Sequence, residues 1–259
     1  MDIVGLIPAG GIASRLGKIP CSKEIFPMQY SVSSGSVSVV SENLIQYFKT
    51  SGIENIYFIL REGKWDIPNY FGDGSSFGVN IGYLMVNLTL GTPFTLNQAY
   101  PFVKDKIIAL GFPDIIIEPK NAYTRLIKKL DVTSADLVLG IFPIKNYLKS
   151  DMIEFDSQNK VNQIVIKQDR PDLKWGWMNV VWKPFFTEYL NKYLSEFLRS
   201  NPDGMIKLSD GGTRELYVGD VIQAAMEEGL QVDYVKFEEG NSLDIGTADD
   251  LRNYMKTHL

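Results

Sequence analysis

The sequence predicts an α/β domain, with a mixed, mostly parallel sheet and helices on both of its faces. Three observations predict it. Short apolar runs of strand length recur along the chain, at residues 3–8, 56–60, 81–86, 106–110, 135–142 and 232–237. Most are separated by stretches whose apolar residues fall at helical spacing, the alternation that builds a parallel sheet through helical crossovers. No linker rich in Pro, Gly or Ser divides the 259 residues, so one domain spanning residues 1–259 is expected.

The first strand, residues 3–8, is broken by Ala9-Gly10-Gly11. Residues 37–51 place Val40, Leu44, Tyr47 and Phe48 at helical spacing, and Gly52 supplies a stop. The next strand, 56–60, is followed by a Gly-rich loop over 72–78 and a strand over 81–86. A helix closes at 99–103 before the strand at 106–110. In the second half, 126–130 reads as helix, 135–142 as a buried strand, and 161–167 and 178–182 as strands. The 150s to 180s have the spacing of hairpins and introduce an antiparallel portion. Pro184 opens a helix that runs to residue 199. Residues 215–228 read as helix, 232–237 as an alternating strand and 248–257 as a last helix.

Composition narrows the chemistry. Hydrophobic residues at 45% and charged residues at 22% are ordinary globular values. A net charge of −5 argues against a broad basic face for nucleic acid. The single cysteine, Cys21, excludes an intrachain disulfide and suits a reducing compartment. The single histidine, His258, near the end of the chain, removes Ser-His-Asp and Cys-His catalysis and metal sites built on imidazole. No basic segment precedes the first apolar run, and no stretch approaches the ~18 apolar residues of a membrane span. A cytoplasmic protein with no membrane partner is therefore expected. Assembly is left open, a homo-oligomer being compatible with the sequence.

The chemistry concentrates in residues 7–28, IPAGGIASRLGKIPCSKEIFPM. A strand running into paired glycines lets backbone N–H groups approach phosphate oxygens, and Arg15 and Lys23 add permanent positive charge. The spacing is neither a Walker A loop, since Gly17-Lys18 comes one residue late and Ile19 follows, nor GxGxxG. Two glycines alone are explained more simply by a turn with solvated basic residues.

The whole pattern resembles the sugar-phosphate nucleotidylyltransferases. Ala9-Gly10-Gly11-Ile12-Ala13-Ser14-Arg15-Leu16 and Ser22-Lys23-Glu24-Ile25-Phe26-Pro27 are similar to that family's signature AGGxGTRL and its following lysine. Residues 67–83, IPNYFGDGSSFGVNIGY, resemble a second family stretch. Leu90-Gly91-Thr92-Pro93 and Asn97-Gln98-Ala99 resemble the nucleobase loop and the helix after it. Ala109-Leu110-Gly111-Phe112-Pro113-Asp114 is similar to the strand end carrying a metal-binding aspartate, and Ser242-Leu243-Asp244-Ile245-Gly246-Thr247 to the segment carrying a second. Asp169-Arg170-Pro171 stands where the family has Glu-Lys-Pro, and Gly176-Trp177-Met178 matches its sugar-side motif. Ala13 and Ser14, in place of the usual Gly and Thr, and the Phe112-Pro113 insertion are departures.

The resemblance implies a GT-A-like, Rossmann-related fold. It also implies transfer of a nucleoside monophosphate from a nucleoside triphosphate to a sugar 1-phosphate, with dTTP and glucose 1-phosphate as the nearest branch's pair. Arg15 would hold the departing β/γ-phosphates, Lys23 the α-phosphate region, and Asp114 and Asp244 a Mg²⁺ ion. Gly10 and Gly91 would face the base and Gly11 the phosphates; Arg170, or else Lys167 three residues earlier, would bind the sugar phosphate, and Gly176 would lie on the sugar side. Both aspartates follow apolar runs expected to end at one rim of a parallel sheet, where open α/β folds bind ligands. Two carboxylates without His or Cys make the hard oxygen site that Mg²⁺ takes. A cytidylyltransferase acting on a phosphorylated alcohol such as phosphocholine is the alternative enzyme, and the departures at Ala13 and Phe112-Pro113 keep a non-catalytic nucleotide-sugar sensor open. The remaining features read as structure: Trp175, Trp177 and Trp182 as core or pocket wall, Cys21 as an unreactive thiol, residues 210–213 as a turn, and the glutamates at 227, 228, 238 and 239 as solvated surface.

Overall fold

A computed structural model describes residues 2–258 except 13, 18, 32–35, 88–89, 145 and 209. Ala13 therefore lies outside the described residues. The first half runs β1 (Ile3–Ala9), β2 (Pro27–Ser31), β3 (Ser36–Val39), α1 (Glu42–Thr50), β4 (Asn55–Arg61), α2 (Asp66–Phe71), β5 (Asn80–Val86), α3 (Thr92–Asn97), α4 (Tyr100–Val103), β6 (Ile107–Leu110), β7 (Ile115–Glu118) and α5 (Ala122–Val132). The second half runs β8 (Leu137–Pro143), β9 (Asp151–Phe155), β10 (Val161–Ile166), β11 (Trp175–Trp182), α6 (Pro184–Ser200), β12 (Met205–Lys207), β13 (Thr213–Glu215), α7 (Val218–Glu227), β14 (Val232–Lys236), β15 (Asn241–Asp244) and α8 (Ala248–His258).

One large sheet runs β10-β9-β11-β6-β1-β4-β5, with β8 on β11 and β14 on β8. Neighbours from β6 to β5 are parallel, as are β8 and β14, while β11 runs antiparallel to β6, β8 and β9. The mixed sheet expected from the sequence is thus present, and the antiparallel portion falls in the 150s to 180s. Strands β6 and β8 are near-continuous apolar runs because both faces of the sheet are covered. On one face Leu44 and Phe48 of α1 and Leu126 and Leu130 of α5 pack on the sheet. On the other, Phe186 and Leu190 of α6 and Val221 and Ile222 of α7 do so. Fully burying side chains of this size contributes about 1.5–3 kcal/mol each.

Two helix starts come later than the periodicity places them. Residues 37–39 belong to β3, because Ser36-Val37-Ser38-Val39 alternates with period two and pairs with β2, so α1 begins only at Glu42. Likewise Thr213–Glu215 pairs with β12, and α7 begins at Val218. The turn expected over residues 210–213 lies over 210–212, Thr213 already belonging to β13, with the Gly212 N–H donating to Asp210 Oδ1 at 2.9 Å.

Candidate active site

Parallel β1 and β6 end at the same rim of the sheet, and both continue into the predicted chemistry. Gly10 is buried just past β1. Gly11 is exposed, and the space its absent side chain would fill is open. A 3-10 turn over Ser14–Leu16 carries Arg15, and a second over Lys23–Ile25 carries Lys23. Two sets of contacts fix the path of that second turn, and a third engages the side chain of its Glu24. The Ser22 N–H and hydroxyl donate to the Asp66 carboxylate at 2.6 and 2.7 Å. The Glu24 carbonyl accepts from the Ser41 N–H and hydroxyl at 3.1 and 2.5 Å. Lys64 Nζ meets Glu24 Oε1 at 2.6 Å.

Lys23 Nζ reaches Asp114 Oδ2 at 2.5 Å. Asp114 lies just past β6, where Gly111-Phe112-Pro113 leads the chain off the sheet edge and Phe112 packs on Trp177 at 5.8 Å between ring centroids. Asp244 arrives differently from the sequence expectation. It ends no strand of the parallel sheet but closes β15, which pairs antiparallel with β7 so that Asp244 opposes Ile115. The Ile245 N–H donates to the Asp114 carbonyl at 2.9 Å. A short ribbon thus brings the two aspartates to adjacent backbone positions.

The electrostatics match this crowding. Burial, then the charge of Asp114, pushes the Asp244 carboxyl above its usual range, while Lys23 and Arg15 pull it back. Burial opposes the Lys23 ammonium, yet Asp114, Glu24 and Asp244 together hold its pKa above the ordinary lysine value. Two carboxylates and a lysine are thus mutually dependent, with Arg15 within electrostatic reach. Among the described residues no group of three or more His, Cys, Asp or Glu converges on a point. A cation here would have two carboxylates from the protein and would complete its shell elsewhere. That suits Mg²⁺, which retains waters and takes phosphate oxygens.

A line of contacts continues from this junction to the other predicted residues. Thr247, three residues past Asp244, caps α8 with Asp250, and Lys149 reaches Asp250 at 3.1 Å. Two residues on, Asp151 opens β9. Gly176 of β11 lies beside it, and a side chain there would come within 3.2 Å of the Asp151 carbonyl oxygen. The Lys167 N–H donates to the Ser150 carbonyl at 3.1 Å, and Lys167 Nζ stands 3.3 Å from the centre of the Tyr217 ring. Gly91 precedes α3, which packs against β1, and lies under Leu216, the neighbour of Tyr217. Arg170 does not join this line, because its guanidinium is taken up by Asp172 at 2.7 Å and Glu154 at 3.2 Å.

Gly91 has φ +125°, and a Cβ there would stand 2.7 Å from the Leu216 carbonyl oxygen. Gly91→Ala should therefore cost about 2 kcal/mol, lowering the melting temperature by about 6 °C in a thermal scan. Asp151 is a second sensitive point. Burial and Asp220 push its pKa up to about 6 from 3.8, against the pull of Lys167 and Arg214. Since the folded state holds this proton more tightly than the unfolded chain, stability falls as pH rises from about 4 to 6, by roughly 3 kcal/mol. Asp151→Asn should flatten that part of the stability profile and raise the melting temperature at pH 7 by about 9 °C.

Asp151, Tyr217, Glu24 and Lys64 were not legible in the sequence. Tyr217 falls in a segment the periodicity reads as helix and Glu24 inside the signature segment 7–28, while Asp151 and Lys64 lie in strand-edge and loop patterns; only the tertiary fold gives each its charged neighbours. Cys21 carries no activation: burial, then Asp66 and Glu24, raise its thiol pKa. Trp182 is core and Trp177 is nearly so, while Trp175 lies under Lys236 at 4.2 Å.

A mixed sheet with a glycine loop and opposed charges gathered at the carboxyl ends of its parallel strands is the architecture of nucleotide-handling α/β proteins. Comparison with known proteins gives the particular family: residues 4–259 match the model of the nucleotidyl transferases, and the chain belongs to that family. It is 26% identical over 250 residues to the low-salt glycan biosynthesis nucleotidyltransferase Agl11 of Haloferax volcanii, covering 95% of this chain and 63% of that protein. It is 23% identical over 215 residues to a glucose-1-phosphate thymidylyltransferase of Neisseria meningitidis, covering 80% of this chain and 68% of that one. The chain thus spans about two-thirds of the length of these curated relatives. Among solved structures, a Bacillus anthracis protein assigned as a glucose-1-phosphate thymidylyltransferase, in complex with a sucrose, superposes with TM-score 0.80 at 18% identity, over 99% of this chain and 95% of that one. A UDP-glucose pyrophosphorylase complexed with UDP-glucose gives 0.75 at 13% identity over all of both chains. These likenesses bear out the GT-A-like fold. No helix among the described residues is long and apolar enough to cross a membrane.

Proposed function

We propose that the protein transfers a nucleoside monophosphate from a nucleoside triphosphate to a sugar 1-phosphate, with dTTP and glucose 1-phosphate as its substrates. The observation that carries this reading is the junction of Lys23, Asp114 and Asp244 at the rim where β1 and β6 end. The nucleophile, a phosphate oxygen, is already an anion, so the reaction needs no general base, and the chain's want of a usable histidine is no obstacle. Positioning and charge neutralisation are what such a displacement requires.

The open space at Gly11 admits phosphate close to backbone. Arg15 binds the pyrophosphate portion that leaves. Lys23, held on a turn whose path Asp66 and Ser41 fix, neutralises charge at the α-phosphate. Asp114 and Asp244 would hold Mg²⁺, which neutralises phosphate charge when bound. Lys167 takes the sugar phosphate in preference to Arg170, whose guanidinium is occupied. Gly91 and Gly10 lie at the base side, and Gly176 permits the close approach of β9 beside the sugar. The reading for dTTP rests on the Neisseria relative's named activity, and the UDP-glucose neighbour makes UTP the first competitor to test.

The test is product formation from glucose 1-phosphate with each of the five common nucleoside triphosphates in Mg²⁺. Turnover fastest with dTTP and slower with UTP is expected. Turnover confined to CTP, or requiring phosphocholine in place of the sugar phosphate, would overturn the substrate assignment.

A further inference from the structure

The geometry points to Lys64 as a positioning residue: by pairing with the buried Glu24 it leaves the adjacent Lys23 free to face Asp114. This inference rests on the nucleotidyl-transfer reading of the same site. Glu24 directly follows Lys23 in the 3-10 turn, yet the two side chains point to different partners, Lys23 to Asp114 and Glu24 inward to Lys64. The result is a line of alternating charge, Asp114, Lys23, Glu24, Lys64, running from the rim of the site into the interior.

The Glu24 side chain is wholly buried and that of Lys64 is 6% exposed. Burial holds the Lys64 ammonium below the ordinary lysine range in spite of Glu24. A buried ion pair of this kind is seldom more stabilising than an apolar pair of the same volume, whereas leaving one member unpaired is costly. Stability alone therefore does not account for the pair. The path of the turn is secured separately, by Ser41 on the Glu24 carbonyl and by Asp66 on Ser22. What Lys64 adds is charge balance.

Glu24 Oε2 is buried and has no hydrogen-bond partner among the described residues, so the carboxylate has capacity for a second cation. Lys23 is one residue away and already feels the charge of Glu24. Its four-carbon stem is flexible and its ammonium takes whichever anion compensates it best. With Lys64 removed, Glu24 becomes the less solvated, uncompensated anion. Lys23 then turns inward, and Asp114 and the phosphate position lose it.

The experiment compares Lys64→Met, Glu24→Gln/Lys64→Met and wild type by steady-state kinetics and by crystal structure. Lys64→Met should lose about 30-fold in kcat, with KM for the triphosphate changed by less than about threefold. Its crystal structure should show Lys23 Nζ on Glu24 in place of Asp114. Removing both charges should return Lys23 to Asp114 and kcat to within about threefold of wild type. A pair that only stabilises the fold would lower the melting temperature and leave both Lys23 and kcat in place. The inference is overturned if Lys64→Met keeps Lys23 on Asp114, or if the double variant is as impaired as the single one. Should Lys64→Met fail to fold, Lys64→Gln, which retains a donor for Glu24, should show the same shift in smaller degree. Should the wild type transfer no nucleotide, the functional reading fails, and the position of Lys23 in the crystals still decides this inference.

Discussion

Asp114→Asn should lower kcat/KM for nucleotidyl transfer by about 10³-fold and raise the Mg²⁺ concentration needed for half-maximal turnover. The substitution is nearly isosteric, so the bend at Gly111-Phe112-Pro113 and the backbone bond from Ile245 to the Asp114 carbonyl persist. What disappears is charge. Asp244 loses the neighbouring carboxylate that, after burial, does most to raise its pKa. Lys23 loses the partner it holds at 2.5 Å. Pyrophosphate release measured across a Mg²⁺ titration checks the kinetics, and circular dichroism checks that the variant is folded. Turnover at the wild-type level with unchanged Mg²⁺ dependence would remove Asp114 from the metal role.

Lys23→Met should cost about 10²–10³-fold in kcat, the usual effect of deleting one positioned donor at a developing charge. It has a second, pH-dependent signature. Lys23 lowers the pKa of Asp244, and without it that pKa rises further above the unfolded value. A carboxyl whose folded pKa lies above its unfolded one is destabilising at neutral pH, and the cost is relieved as pH falls through the folded value. The variant should therefore recover part of its lost melting temperature on mild acidification, before general acid unfolding begins. Thermal scans from pH 7.5 to 5 measure this directly. A variant whose stability only declines over that range would show that Lys23 does not compensate Asp244.

Much of the architecture was legible because burial writes itself into sequence. Runs such as Ile107-Ile108-Ala109-Leu110 are apolar at every position since both faces of the sheet are covered, and Pro184 marks the start of α6. The short ribbons were not legible. In β15, Asn-Ser-Leu-Asp has neither length nor alternation, and it is a strand only because β7 lies beside it. That ribbon brings Asp244 to Asp114, so the two aspartates could be named from the motif while the means of joining them could not be read. The choice between Lys167 and Arg170 was equally hidden. It depends on Glu154, a residue of β9 that pairing across the sheet brings to the guanidinium, and on Tyr217 from a distant loop. The Lys64–Glu24 pair carries no local signal, since Arg-Glu-Gly-Lys reads as a solvated turn until the fold buries its lysine.

If the rim holding Lys23, Asp114 and Asp244 joins a nucleotide to a sugar phosphate as proposed, the balance of its two products shows it. Purified protein with Mg²⁺, dTTP and glucose 1-phosphate should release pyrophosphate and form nucleotide-sugar in equal amounts, with neither product appearing when the sugar phosphate or the Mg²⁺ is left out. If no triphosphate and sugar phosphate combination yields pyrophosphate, while nucleotide still raises the melting temperature, the site binds without turnover and the protein is not a transferase of the proposed kind.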